Sequence, residues 1–419
     1  YWPLGRLPAP DTPENRSVFW SRLARLALEK LPLLLLCAGS AYITVLSQAK
    51  TNTIAANMYM SMPVRIANAL WAYLMYLVKG FWPVRLTIFY PHPENTLGVL
   101  RPALALAVLT LISTACVWNF RKRYALVGWL WFLGTLVPVI GLVQVGRQAM
   151  ADRYAYSTLP GIVLMLVWWA SDSSAIHRIR RGALGPLAAL ALLAFAALTL
   201  RQTTYWKDSF TLFQHALQVT PVNFIAETNL GEAYMQVGRW DLAYDHFLRA
   251  TQEKPHFGLA QYNLGIVLAG QGRRQEAREA FELAIRYGQE GPEIANAYHN
   301  LGIVLLDDKQ LAEARAMFSE ALRLMPRKQS SYLARALTEF RLSDFRAAES
   351  DFLAAIAVAP DAAGYFWLGR TRERLGNLDG ATDAYRRALA IEPNMADARG
   401  RLGALLSGRP IPFLEQGGN

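Results

Sequence analysis

The chain has 419 residues, of which 53% are hydrophobic and only 18% are charged. This composition excludes an intrinsically disordered chain and an ordinary soluble enzyme of uniform composition, and the length suggests two or three domains. Residues 1–204 carry 19 Lys and Arg against 6 Asp and Glu, whereas the rest of the chain carries 24 against 26. The basic excess therefore belongs to the apolar half, where it favours cytoplasmic membrane loops over nucleic-acid binding.

Long uncharged segments fill this N-terminal half. A hydrocarbon core of about 30 Å needs roughly 20 helical residues, so uncharged runs of similar length are candidate spanning helices. Such runs predict five spans, at 31–48, 102–119, 124–145, 154–170 and 183–200. The shorter run 66–78 contains Asn68, Tyr73 and Tyr76, and it predicts a helix in the membrane interface. Residues 1–204 are therefore predicted to form a membrane domain.

Basic loops predict the orientation of the five spans. The loops 121–123 and 177–181 and the basic N-terminal approach all fall on one side, which the positive-inside rule makes the cytoplasm. The loops 49–101 and 146–153 then lie outside the cytosol, together with everything after Arg201. In a bacterium this predicts an inner-membrane protein whose C-terminal half lies in the periplasm. In a eukaryote the same half would lie in the lumen of the endoplasmic reticulum.

The C-terminal half repeats itself with a period near 34 residues, which is the length of the tetratricopeptide repeat (TPR). The pattern predicts five repeat units over 224–395, a joining half-repeat helix at 205–223, and a capping helix and tail at 396–419. The predicted fold class is therefore all-α, with a polytopic helical membrane domain followed by a TPR α-solenoid.

Each signature position has a mechanical role in the predicted repeat. Gly and Ala allow the two helices of a unit to approach closely, Phe is expected to fill the gap between units, and Pro ends the second helix. The fourth unit lacks the Leu-Gly pair of the others and has Arg335-Ala336 in its place.

One Asn recurs at the same position in the first three units, at Asn229, Asn263 and Asn300. An Asn side chain both donates and accepts a hydrogen bond, so a row of them suits capture of an extended peptide on the concave face of the solenoid. The alternative is that Asn before Leu-Gly is simply common in this repeat. Ala334 and Trp367 interrupt the row, so the predicted protein partner binds in units one to three.

The sequence contains no phosphate-binding loop, dinucleotide-binding turn, metalloprotease motif or nucleophile elbow. Cys37 and Cys116 both lie in apolar runs and are interpreted as small buried hydrophobic residues. No spacing resembles a metal site, and no cofactor is evident. The six His residues occur singly, at 92, 177, 215, 246, 256 and 299.

Two predicted outside loops carry candidate lipid-phosphate-binding residues. One contains His92, and the other contains Arg147, Asp152, Arg153 and Tyr154 just before a predicted span. Arg binds phosphate bidentately, and lipid phosphates lie at this depth in a membrane. Asp152 is expected to hold the neighbouring guanidinium or to serve as a base. The alternative is an interfacial anchor of Tyr and Arg among lipid head groups.

Three segments resemble a known family. They are Tyr1-Trp2-Pro3-Leu4-Gly5-Arg6, the stretch Trp82-Pro83 to Phe89-Tyr90-Pro91-His92-Pro93, and Gln148-Ala149-Met150-Ala151-Asp152-Arg153-Tyr154. They resemble bacterial relatives of the transmembrane-and-TPR-containing protein O-mannosyltransferases of the GT-C class. This resemblance implies sugar transfer from a polyprenyl-phosphate-sugar donor to Ser or Thr outside the cytosol. It also implies that the five lipid-phosphate candidates lie near the lipid carrier.

The same resemblance places Tyr1 well inside the membrane domain of the family, with further spans upstream. The catalytic carboxylates of this class come from the first outside loop, and inverting sugar transfer needs a base. No paired carboxylates are expected outside among the six acidic residues of 1–204, so no catalytic residue is assigned and the chain is not expected to perform the reaction alone. These acidic residues are Asp11, Glu14, Glu29, Glu94, Asp152 and Asp172.

Three functional hypotheses follow from the sequence. The first is the C-terminal part of a lipid-linked sugar transferase, whose repeats present a protein acceptor. The second is a non-catalytic membrane scaffold subunit whose TPR domain organises a larger complex. The third is a cytosolic TPR adaptor, which requires the opposite orientation to the one that both basic loops predict.

Overall fold

The computed structural model describes residues 13–50, 60–119, 122–142, 148–172, 181–289 and 291–407. The chain divides into two compact units, Tyr1–Leu230 and Gly231–Asn419. Helices make up most of both, in agreement with the predicted all-α fold.

The first unit combines seven α-helices with one small sheet. The helices are α1 (Pro13–Lys50), α2 (Met62–Phe81), α3 (Leu100–Trp118), α4 (Arg123–Leu136), α5 (Ala155–Asp172), α6 (Arg181–Thr204) and α7 (Ser209–Val219). The strands β1 (Tyr90–Pro91) and β2 (Gln148–Met150) pair antiparallel, with Tyr90 opposite Met150. This pairing joins the two loops that the sequence marks as candidate sites.

Helix α4 is shorter than the predicted run of 124–145, because it ends at Leu136. Pro138 accounts for this end, since proline has no N–H to donate to the Gly134 carbonyl and its ring crowds that carbonyl. The 14 residues of α4 span about 21 Å, which is less than the thickness of a hydrocarbon core.

Two stretches of the described residues have the length and hydropathy of a membrane span, Leu100–Trp118 and Gly185–Thr204. The arrangement of five spans stays a prediction. Helix α2 covers the run 66–78, and its interfacial position likewise stays a prediction.

Helices α4 and α5 touch through their backbones at two glycines. A Cβ atom on Gly128 would lie 2.3 Å from the Gly161 carbonyl oxygen, and one on Gly161 would lie 2.4 Å from the Gly128 oxygen. Next to this contact the buried rings of Trp129 and Phe132 stack with centroids 5.5 Å apart. Close approach of helices at small residues is typical of packing within membranes, although soluble proteins use it too.

The C-terminal half forms five successive helix pairs and a final helix, and the division between the units falls within the first helix of the first pair. The pairs are α8 (Phe224–Gln236) with α9 (Trp240–Glu253), α10 (Gly258–Gly270) with α11 (Arg274–Tyr287), α12 (Pro292–Asp307) with α13 (Leu311–Leu324), α14 (Gln329–Arg341) with α15 (Phe345–Val358), and α16 (Ala362–Arg374) with α17 (Leu378–Ile391), followed by α18 (Ala396–Ser407).

In four of the helix pairs a buried aromatic ring packs against a glycine of the same pair. The sequence pattern predicted instead that Phe fills the gap between pairs. In four pairs a Cβ atom on that glycine would lie 2.6–2.7 Å from the ring, so the glycine sets the distance between the helices. The matching residues are Gly231 with Phe247, Gly265 with Phe281, Gly302 with Phe318, and Gly369 with Tyr385. The fourth pair instead has the buried Ala336 and Phe352.

The fourth pair also replaces the usual Leu by a charge. Arg335 donates to both carboxylate oxygens of Asp351, at 2.5 and 2.8 Å. Glu339 lies one helical turn further along and is only 6% exposed, and its Oε2 has no hydrogen-bond partner among the described residues. Burial and the nearby Asp351 raise the pKa of Glu339 to about 7, which Arg335 opposes.

Candidate functional site

Helix α2 holds the second loop by side-chain contacts with strand β2 and the residue after it. Asn68 donates from Nδ2 to the Ala149 carbonyl at 3.1 Å. The Tyr76 hydroxyl donates to the carbonyl of Ala151 and accepts from its N–H, both at 3.0 Å. Both side chains are buried. The loop backbone is therefore fixed to one face of α2.

Three side chains form a buried polar chain where the two loops meet. The Lys79 ammonium donates to the Tyr90 hydroxyl at 2.9 Å, and this hydroxyl donates to Oδ2 of Asp152 at 2.8 Å. The Thr87 N–H also donates to the Tyr90 hydroxyl, at 3.0 Å, and Lys79 donates to the Arg85 carbonyl. Both acceptor positions and the donor of Tyr90 are thus used, which fixes its orientation.

Burial shifts the proton affinities of all three groups in this polar chain. It raises the pKa of Asp152, and the Tyr90 hydrogen bond and the Lys79 charge oppose that rise. It lowers the pKa of Lys79, which the Asp152 charge partly offsets. Burial and the Asp152 charge raise the pKa of Tyr90. Asp152 is therefore a stronger proton acceptor than an ordinary aspartate, and Tyr90 remains a neutral donor.

A wholly apolar cavity of about 510 Å³ lies on the opposite face of α2. Successive residues of an α-helix are 100° apart, so Tyr76 and Lys79 share one face of α2 and Leu74 and Phe81 share the other. Both features include a residue near the C-terminal end of α2: Phe81 lines the cavity, and Lys79 belongs to the polar chain. The lining residues are Leu74, Leu77, Val78, Phe81, Trp82, Val108, Ile112, Trp129, Ile162, Met165 and Leu166.

The structure separates the lipid-phosphate candidates of the second loop. Arg153 is exposed and lies over the Tyr154 ring at 5.1 Å, and Tyr154 is half-buried. Asp152 contacts Tyr90 rather than holding the neighbouring guanidinium as predicted, because it points towards the other loop. Arg147 lies outside the described residues.

His92 lies in the same pair of loops but takes no part in the polar chain. It is 9% exposed, and its Nδ1 accepts from the Glu94 N–H at 2.9 Å. The loop around it is also tied to α7 and α8: the His215 ring contacts the Leu86 carbonyl at 3.0 Å, and Asn223 donates to the Phe89 carbonyl at 3.2 Å. His92 is thus part of the loop's own packing.

The three Asn residues of the predicted peptide site have unequal surroundings. Asn229 donates to the Ile225 carbonyl of its own helix at 2.7 Å. Asn263 is buried and donates to Glu232 of the preceding pair at 2.7 Å. Asn300 hydrogen-bonds Tyr262. Two of the three therefore link neighbouring first helices, and peptide binding by the row stays a prediction.

A further polar cluster links the first helices of the third and fourth pairs. Ser331 and His299 form a hydrogen bond at 3.0 Å, and Lys328 hydrogen-bonds Asn296. Burial and the charge of Lys328 lower the pKa of His299 to about 4, so the ring is neutral at pH 7. The third and fourth pairs are thus joined by hydrogen bonds between polar side chains.

Lys79 and Tyr90 belong to the site although neither was singled out as a candidate. A sequence signal for Lys79 exists, because Asn68, Tyr76 and Lys79 recur along one face of α2. No such signal exists for the partnership of Tyr90 with Asp152, which are separated by 62 positions. Within the described residues no group of three or more His, Cys, Asp or Glu side chains is placed to hold a metal ion.

Comparison with known proteins assigns the repeat half. Family models of the tetratricopeptide repeat match residues 228–255, 257–327 and 333–396. The chain is 25% identical to protein O-mannosyl-transferase TMTC1 of Mus musculus and 24% identical to that of Homo sapiens, each over 192 residues or 46% of the chain. It covers only 19% and 21% of the length of those two relatives. The predicted TPR solenoid is thus confirmed, and the resemblance to the mannosyltransferase family is supported in its repeats.

Further similarities also fall on helical repeats. A small glutamine-rich tetratricopeptide repeat-containing protein of Mycosarcoma maydis is 34% identical over 70 residues, which is 17% of this chain and 20% of that protein. Among solved structures, YrrB, a TPR protein with an unusual peptide-binding site, has a TM-score of 0.41 and 22% identity, and the match covers 45% of this chain and 95% of YrrB. The family models that match within 228–396 thus identify most of the C-terminal half as tetratricopeptide repeats.

Proposed function

We propose that the protein is a membrane-anchored TPR protein that forms the C-terminal part of a polyprenyl-phosphate-sugar-dependent protein O-glycosyltransferase of the GT-C class. In this role the repeats bind the protein that accepts the sugar, and the first unit contacts the lipid carrier. One observation carries the proposal: the buried polar chain ends in a lysine at the end of a helix whose opposite face lines an apolar cavity.

The chemistry of this region suits a phosphate attached to a long apolar tail. The cavity offers hydrocarbon surface to a polyprenyl chain. Lys79, on the other face of α2 near the same helix end, offers an ammonium to the phosphate of that chain. Asp152 and Tyr90 fix the position of that ammonium through the polar chain. The exposed Arg153 is a second cation for the same head group.

Exposed apolar side chains support the membrane anchor. On α6 they point outward on all sides, since Leu187, Leu190, Leu192 and Leu193 are each more than half exposed. Large exposed apolar surfaces are rare on soluble monomers and are expected where lipid replaces water. We infer a bacterial inner-membrane location with the repeats in the periplasm, because the basic loops favour the cytoplasm.

Membrane anchoring and orientation are tested together. The full chain should stay in the membrane pellet after extraction with alkaline carbonate, as an integral protein does. Protease added to intact spheroplasts should digest the repeats. A chain released by carbonate would contradict the anchor, and repeats that are protected in intact spheroplasts but cut after lysis would contradict the periplasmic location.

The carrier site is tested with a photoreactive polyprenyl phosphate and the full chain in detergent. Lys79→Gln should reduce labelling about tenfold or more, because a desolvated ammonium binds phosphate strongly. Arg101→Gln is the matched control, since Arg101 is an exposed cation of the same unit. Equal labelling of both variants would contradict a role for Lys79.

A non-catalytic scaffold remains the second candidate function. The helical repeats themselves favour it, because solenoids of this kind mostly bind proteins. The experiment with the photoreactive polyprenyl phosphate distinguishes the transferase role from the scaffold role. A chain that stays in the membrane but is not labelled by the polyprenyl phosphate fits the scaffold and excludes the transferase role.

A further inference from the structure

The first helices of the fourth and fifth pairs meet through aromatic rings. Phe340 of α14 packs edge-to-face on Trp367 of α16, with centroids 5.5 Å apart. Phe345, at the start of α15, packs edge-to-face on Phe340 at 5.3 Å. Trp367 occupies the position that Asn holds in the first three units. A ring therefore replaces the amide side chain in the fifth unit.

Two arginines lie on these rings. The Arg370 guanidinium is 4.8 Å from the Trp367 centroid and 5.5 Å from that of Phe340. The Arg374 guanidinium is 5.9 Å from Phe340 and 5.6 Å from Phe345. We call Phe340, Trp367, Arg370 and Arg374 the arginine–aromatic patch. Stacking on a ring occupies the face of a guanidinium and leaves its N–H edges able to donate.

The nearest carboxylate does not neutralise Arg370. Glu373 accepts from the Tyr385 hydroxyl at 2.7 Å and from Arg401 at 2.7 Å, so each of its oxygens already has a donor. No carboxylate of a described residue lies within ion-pair distance of Arg370. Burial lowers the pKa of Arg370, the charges of Arg401 and Arg374 lower it further, and Tyr385 and Glu373 oppose them. Such a cation is stabilised by an added anion.

We propose that the arginine–aromatic patch binds an acidic segment of a polypeptide partner through its Asp or Glu carboxylates. The guanidinium edge of Arg370 binds those carboxylates, Arg374 adds its positive charge beside it, and Trp367 packs on the adjacent apolar part of the segment. This inference rests on the proposed role of the repeats in binding a protein. It moves the site from the first three units, where the Asn row predicted it, to the fourth and fifth.

Charge complementarity favours this occupant. Stacked guanidiniums are held in place before the ligand arrives, so less rotamer entropy is lost when a carboxylate binds. Among the Asn residues of the first three units, by contrast, Asn263 already donates to Glu232 and faces a carboxylate rather than a cation. An acidic segment is thus attracted to the patch and repelled by the second pair.

Fluorescence anisotropy of a labelled peptide with alternating Glu and Ser tests the proposal on the full chain in detergent. A peptide with Gln in place of Glu tests the need for charge, and one with phosphoserine tests the alternative anion. Arg370→Gln with Arg374→Gln should weaken binding of the Glu peptide about tenfold or more. Arg386→Gln with Arg387→Gln is the matched control, because both arginines are exposed on α17 of the same pair. If the double variant does not fold, the single variant Arg374→Gln is tested in its place, because Arg374 is exposed.

Binding of the Glu peptide that falls with salt, is lost in the patch variant and persists in the control would support the proposal. Equal binding of the Gln peptide, or binding of the phosphoserine peptide alone, would overturn it. So would equal loss in both double variants. A chain that crosslinks to polyprenyl phosphate yet ignores the Glu peptide would refute the patch and leave the proposed function standing.

Discussion

The two units use glycine for the same purpose in different ways. In the first unit Gly128 and Gly161 bring two helix backbones into direct contact. In the second unit Gly265 and its counterparts leave room for an aromatic ring from the partner helix. A backbone cannot move aside without moving its helix, whereas a ring can shift by a few tenths of an ångström. The first kind of contact should therefore tolerate an added methyl less well.

The outer surfaces of the units differ as well. Large exposed apolar side chains are concentrated on α1, α3, α5 and α6 of the first unit, and they are scattered among charged residues in the second. The repeats form a core from Phe and Ala within each helix pair and surround it with ion pairs such as Arg278–Glu282. The exposed side chains of the first unit are thus largely apolar on several helices, whereas those of the repeats are largely charged.

The largest effect should follow from Gly128→Ala. The added Cβ would lie 2.3 Å from the Gly161 oxygen and 2.5 Å from Met165, so α4 and α5 must separate. We expect a loss of about 3 kcal/mol in the stability of the first unit. Gly134→Ala is the control, because a Cβ there meets nothing within 4 Å. The thermal unfolding temperature of the full chain in detergent is the measurement, and equal values for both variants would refute backbone contact.

A smaller loss, about 2 kcal/mol, is expected from Gly265→Ala. Its Cβ would lie 2.7 Å from the Phe281 ring, which can yield partly, as the Ala336 and Phe352 pairing of the fourth unit illustrates. Gly270→Ala, whose Cβ meets nothing within 4 Å, should change little. Urea unfolding of the full chain distinguishes them. A Gly265→Ala variant less stable than the Gly128→Ala variant would reverse the comparison between the units.

Glu339 makes the second unit sensitive to pH in a way that an apolar fourth pair would not. Its pKa is raised from an ordinary value of 4.5 to about 7 in the folded chain, so the folded state binds more protons between these values than the unfolded state. The contribution of Glu339 to the free energy of unfolding is therefore largest below pH 4.5, and it is lost as pH rises through 7. We expect a fall of about 1–2 kcal/mol, less than the full shift implies, because local relaxation admits water.

Glu339→Gln should remove this fall, as judged by thermal unfolding of the full chain between about pH 5 and 8, the range that brackets the folded-state pKa. Glu320→Gln serves as the control, since Glu320 is an exposed partner of Arg323. A slope that persists in the Glu339→Gln variant would assign the pH dependence to another group.

The repeats could be predicted closely because their signature residues contact one another within a single helix pair, as Gly265 contacts Phe281. Pro255 and Gly272, for example, each lie two residues after the last residue of a helix, which is Glu253 in one case and Gly270 in the other. The candidate site was predictable only in part. Asp152 stood out by its local sequence, but its partner Tyr90 is distant in the chain, and only the pairing of β1 with β2 brings them together. A sequence pattern predicts local geometry, and it does not predict the pairing of segments that are distant in the chain.

The smallest effect concerns Tyr385, a buried aromatic residue of the repeat core that carries a hydroxyl. Tyr385 fills the same space against Gly369 as Phe does in the other pairs, and its hydroxyl donates to Glu373 at 2.7 Å. Tyr385→Phe keeps the ring and removes one donor from a carboxylate that Arg401 still binds, so we expect a loss of about 1 kcal/mol in urea unfolding. Phe318→Leu, which replaces the buried ring of the third pair by a smaller side chain, should cost more, because packing and not the hydroxyl closes each helix pair. A Tyr385→Phe variant that loses more than the Phe318→Leu variant would show that the end of the solenoid depends on its polar network instead.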